Sequence, residues 1–151
     1  MTSRRNPPQR PIDFTIYRGW RGGMRIQLVP GADGADRENG VSMDDRAFFL
    51  VEPFLVATWQ NPRFGHFSPA SIPMAVWAQV LPQLEEIIKV IERAEIPDDI
   101  RASQLTSPEV LEDFDNHFGR VQVDAVFMLR DFIGIMRGWM QTHDHVYFYG
   151  L

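Results

Sequence analysis

At 151 residues, 44 % hydrophobic and 23 % charged, the chain has the size and composition of one folded domain rather than of a disordered tail. It contains no cysteine, which excludes a disulfide framework, thiol catalysis and any cysteine-ligated zinc or iron–sulfur centre. The net charge is −5 but uneven: residues 1–29 hold six arginines against Asp13 alone, whereas residues 85–115 hold ten acidic residues against Lys89, Arg93 and Arg101.

The first ten residues carry three arginines and two prolines and almost no apolar side chain. Such a segment cannot bury enough surface to offset its ordering entropy, so residues 1–10 are expected to form a disordered basic arm ahead of a single domain spanning 11–151. No apolar run follows the arm and no stretch of about 18 apolar residues exists, so neither a secretory leader nor a membrane-spanning helix is expected. With the lack of cysteine, this favours the cytoplasm.

Ile12, Phe14 and Ile16 alternate with Asp13, Thr15 and Tyr17, and Ile26 and Leu28 alternate with Arg25, Gln27 and Val29. Period-two alternation marks half-buried strands, and the glycines between the runs predict a β-hairpin with its loop around Gly19–Gly23. Residues 31–40 are rich in Gly, Asp and Asn and read as a polar loop. Ser42 followed by Asp45 resembles a helix-capping pair, but Pro53 interrupts the apolar run that follows. A helical turn leading into buried extended segments around Pro53 is expected.

Trp77, Val80, Leu81, Leu84, Ile87, Ile88 and Ile91 recur at helical spacing, with Ser71 as the expected cap, Pro82 as an expected kink and Pro97 as the end. Thr106 and Glu109 form a capping box for a further helix, which Gly119 is expected to close. Val123, Val126, Phe127, Phe132, Ile133, Met136 and Met140 then repeat at helical spacing, and residues 145–151 read as a final strand. The fold class is α+β, with an N-terminal hairpin and a C-terminal strand packed with about three helices.

No phosphate-binding loop, dinucleotide fingerprint, nucleophile elbow or His-Glu-x-x-His helix is present, so a non-enzymatic role without cofactor is favoured. The acidic segment is the leading candidate surface. Glu109, Glu112, Asp113 and Asp115 could steer a cationic protein, with Phe114 and Phe118 as anchors. Small acidic bacterial inhibitor or immunity proteins act in this way.

A second reading is a small enzyme or metalloprotein. His143 and His145 would share a strand face, and Asp113 and His117 a helix face, as a ligand set for zinc or iron. A third is an adaptor subunit that docks on a larger assembly through the basic arm. Arginines of the arm and of residues 17–25, such as Arg18 and Arg21, could act with Tyr17 and Trp20 to stack on single-stranded nucleic acid, but the overall acidity makes that partner unfavourable.

Overall fold

The computed structural model describes residues 12–19, 25–64, 69–93, 95, 111–112, 115–116 and 118–150. The strands are β1 (Tyr17–Arg18), β2 (Arg25–Pro30), β3 (Val41–Asp44), β4 (Ala70–Pro73) and β5 (His145–Tyr149). The helices among the described residues are α1 (Asp45–Phe48), α2 (Glu52–Trp59), α3 (Met74–Glu92) and α4 (Phe118–Met140). All five strands join one antiparallel sheet in the order β1-β3-β2-β5-β4.

The expected α+β class is therefore present, with a hairpin near the N-terminus and the C-terminal strand inside the sheet. The hairpin has different partners from those predicted. β2 pairs with β3 across the 31–40 loop, Ile26 opposite Met43 and Leu28 opposite Val41, while β1 lies on the far edge of β3. Residues 20–24, where the hairpin loop was placed, lie outside the described residues.

One face of the sheet carries Ile26, Leu28, Val41, Met43, Ile72, Val146 and Phe148, all within about 1 % of complete burial. The four helices close over this face. Phe48 of α1 meets Phe148 at a ring distance of 5.5 Å, and Trp77 of α3 meets Phe132 of α4 at 5.7 Å. At roughly 25 cal/mol per Å² of apolar area, this single cluster is the main source of stability.

Pro53 sits in the first turn of α2, not in an extended segment. That is where a missing N–H costs nothing, because first-turn N–H groups have no partner inside the helix. The cap of α1 is Asp44, whose side chain accepts from the Arg46 N–H. Ser42 instead lies within β3 and donates its hydroxyl to the Gly19 carbonyl at 2.7 Å.

Ser71 likewise belongs to a strand, β4, and α3 starts at Met74 after Pro73. α3 continues through Pro82 to Glu92, since buried side chains on both sides of the proline hold it against the core. Gly119 does not close a helix; it lies in the first turn of α4. Pro97 and the Thr106–Glu109 capping box fall outside the described residues, as does the basic arm.

α4 departs from its predicted stripe at two positions. Its buried side is formed by Val121, Ala125, Met128, Leu129, Phe132 and Met136, whereas Val123 and Phe127 are 67 % and 70 % exposed. The helix carries apolar residues on more than one side, and only the position of the sheet decides which side is covered.

Candidate functional site

A cleft of about 490 Å³ opens at one end of the sheet, lined by Arg18, Pro30, Asp36, Glu38, Asn39, Gly40, Trp139 and His143. Four elements meet there: edge strand β1, the end of β2, the short 3-10 turn Arg37–Asn39 and the C-terminal end of α4.

The loop that supplies the acidic lip is fixed locally. Asn39 donates to both carboxylate oxygens of Asp36, at 3.0 and 2.9 Å, and the Gly40 N–H donates to the Arg37 carbonyl. The Gly19 N–H donates to the Gly40 carbonyl at 2.8 Å, which ties the turn to β1. A side chain at Gly40 would stand 2.8 Å from the Leu28 carbonyl oxygen, so close backbone approach demands glycine here.

The other side of the loop rests on β5. The Tyr149 hydroxyl donates to the Gly34 carbonyl at 3.0 Å, and the Arg37 guanidinium lies 5.0 Å from the Tyr149 ring centre. On the α4 side, the His143 N–H donates to the Trp139 carbonyl at 2.8 Å. This bond closes the helix end, and both Trp139 and His143 line the cleft. His143 Nδ1 lies 2.9 Å from the Thr142 hydroxyl.

This lining combines an indole face, two carboxylates, a guanidinium and an imidazole. An aromatic face beside carboxylates suits a cationic side chain, which can stack on the ring and pair with the acids. Glu38 is exposed at the lip, whereas Asp36 is partly engaged by Asn39.

A second polar cluster lies at the end of β3. The Asp13 carboxylate accepts from the Tyr17 hydroxyl at 2.6 Å and from the Thr15 N–H at 2.9 Å, with Arg25 3.6 Å away. Burial alone would raise its pKa, but the bonds from Tyr17 and Thr15 and the charge of Arg25 outweigh that and lower it. Burial also opposes ionisation of Asp44, and the bonds from Arg46 and from the Asp13 N–H again leave its pKa below the ordinary value. These contacts anchor the N-terminal segment and the start of α1.

The residues singled out in the sequence are dispersed. Glu112 and Asp115 are exposed on helical residues; Glu109, Asp113 and Phe114 lie outside the described residues, and so does the Phe118 side chain. Much of the remaining acidic run is neutralised at the α3–α4 seam. There Glu85 pairs with Arg137 and Glu92 with Arg130, while Glu86 pairs with Lys89 within α3 at 3.0 Å.

Of the expected metal set, His143 lies in the turn after α4 and His145 opens β5 opposite Pro73, so the two do not share the strand. His117 and Asp113 lie outside the described residues, and among the described residues no three His, Asp or Glu side chains cluster around a common point. Sequence reasoning missed Asp36, Glu38 and Trp139, and weighed Arg18 only as a nucleic-acid contact. The only available signal was Trp139 four residues before His143, which at helical spacing share a face.

Neither a protein family, nor a curated protein, nor a solved structure matches this chain.

Proposed function

We propose that this protein is a protein-binding module that docks on a cationic protein partner by receiving a basic side chain in the cleft at the end of the sheet. The observation that carries this reading is the placement of the Trp139 indole in one cleft with Asp36 and Glu38, on a loop held by Asn39 and Tyr149. An aromatic wall and a carboxylate lip recognise a guanidinium or ammonium group through stacking and charge-assisted hydrogen bonds. The net charge of −5 adds long-range attraction for a basic partner. An inhibitor of the immunity type, held on a basic nuclease or toxin, is the form of this role that the charge favours.

The test is an NMR titration with argininamide as a minimal cationic probe, followed on the Trp139 indole N–H and, so that every variant can be read, on the backbone amides of Asp36, Glu38 and Asn39. A saturable shift is expected, absent with N-acetylglutamate, abolished by Trp139→Ala and weakened by Glu38→Arg. If argininamide leaves Trp139 unperturbed, the cleft is not a cation receptor and the proposal fails. A natural partner identified by co-purification should then bind the unmodified protein more weakly as salt rises and lose affinity with the same two variants, the effect of Glu38→Arg being largest at low salt.

A further inference from the structure

Among the described residues, one face of α4 is largely uncovered, bordered at Phe127 and Asp124 by a cleft shared with Ile12, Asp13, Phe14 and Thr15. Val123 and Phe127 are 67 % and 70 % exposed, one helical turn apart. Continuing along the same side, Gly134 and Gly138 are also exposed, and a Cβ added at either would meet nothing within 4 Å. Glycine in a helix interior costs stability relative to alanine, and neither local crowding nor a left-handed backbone requires it here. Two large apolar groups and two unexplained notches thus lie in one row.

The flanks of that row carry opposite charges. At about 100° per residue, Asp124 and Asp131 fall on one side of the Phe127 direction and Arg130 and Arg137 on the other. The two arginines also reach Glu92 and Glu85 of α3, but their side chains remain 64 % and 59 % exposed, so their outer edges are open.

We infer that a second copy of this chain docks on this face, in a parallel two-fold pairing of the two α4 helices. A two-fold axis along the helices sets the acidic flank of each copy against the basic flank of the other. An antiparallel pairing would instead set acid against acid and base against base. The glycine notches let the helices approach closely at their crossing, and Phe127 and Val123 fill the space where they diverge. The pairing uses none of the cleft residues, so it stands on observations separate from those behind the proposed function.

The experiment is sedimentation velocity over a concentration series, combined with single-cysteine cross-linking, which the cysteine-free chain makes unambiguous. The unmodified protein is expected to dimerise reversibly. Phe127→Asp and Gly134→Leu should each raise the dimer dissociation constant at least about tenfold. Both should keep the far-ultraviolet circular dichroism and, at dilutions where the unmodified protein is monomeric, the thermal midpoint, because position 127 is exposed and a Cβ at position 134 meets open space. Val123→Cys should cross-link to its own mate through a short bis-maleimide, which spans the wider gap where the helices diverge, because parallel symmetry places each residue opposite its counterpart. Val56→Cys, exposed on α2, should not.

A monomer at all concentrations up to about 1 mM overturns the inference, even if some other protein binds this face. A dimer indifferent to Phe127→Asp overturns it as well. A dimer in which Val123→Cys links only to Gly138→Cys overturns the parallel arrangement.

Discussion

The Asp13 N–H donates to the Asp44 carboxylate at 3.1 Å across 31 residues of chain. The same carboxylate caps α1 through the Arg46 N–H at 2.9 Å and meets the Arg46 guanidinium at 3.1 Å. One side chain at the end of β3 therefore joins the N-terminal segment, the sheet and the first helix.

Asp44→Ala removes the helix cap and leaves the Asp13 N–H without its acceptor. Loss of a cap costs about 1 kcal/mol and loss of a buried acceptor a similar amount, so a destabilisation of about 2 kcal/mol is expected. Urea unfolding measures it. Asp44→Asn, which keeps an accepting oxygen, should lose less than Asp44→Ala, and equal losses would show that the cap is not the cause.

The lowered pKa values of Asp13 and Asp44 have a definite sign in the stability profile. A carboxylate with a folded pKa below its unfolded value stabilises the fold at pH above the unfolded value, about 3.9 for aspartate. That contribution disappears as pH falls through the lowered folded value. Unfolding free energy measured from about pH 6 down to about pH 2 should therefore fall more steeply for the unmodified chain than for Asp13→Asn/Asp44→Asn. Parallel profiles would remove these two groups as the source.

Gly34 has φ +70°, and a Cβ there would lie 2.5 Å from the Tyr149 hydroxyl and 2.8 Å from the Tyr147 ring. Gly34→Ala should cost about 1–2 kcal/mol for the left-handed backbone, with the clash added. Tyr149→Phe removes the hydroxyl that donates to Gly34 and should cost about 1 kcal/mol. Gly34→Ala should also weaken argininamide binding, since it displaces the loop that bears Asp36 and Glu38. Unchanged binding would mean that the lip does not depend on this support.

Trp77 is fully buried against Phe132, and its indole N–H has no hydrogen-bond partner among the described residues. Trp77→Ala should cost about 3–5 kcal/mol from lost burial and the cavity left behind. Trp77→Phe opens a smaller cavity and also removes a buried unpaired donor, whose presence costs about 1–3 kcal/mol. Its net loss should stay below about 2 kcal/mol. Comparable losses for the two variants would show that the indole N–H is satisfied in solution.

The sequence by itself determined those elements whose stability is encoded in short-range periodicity. The apolar spacing from Trp77 to Ile91 marks α3, that from Val126 to Met136 marks most of α4, and alternation marks β2 and β5. Helical and strand periods are local properties, readable without knowing what lies opposite. The tertiary structure alone decided strand order, since β2 pairs on one side with nearby β3 and on the other with β5, more than 100 residues away. It also decided that Asp44 rather than Ser42 caps α1, because the alternation of Val41–Asp44 was taken up by the sheet and moved the helix start to Asp45. Val123 and Phe127 fit an apolar helical stripe as well as Met128 and Leu129 do, and only the placement of α4 on the sheet exposed the first pair and buried the second. The cleft was illegible for the same reason: Arg18, Glu38 and Trp139 come from three distant segments, and no local pattern records that a loop, an edge strand and a helix end will meet.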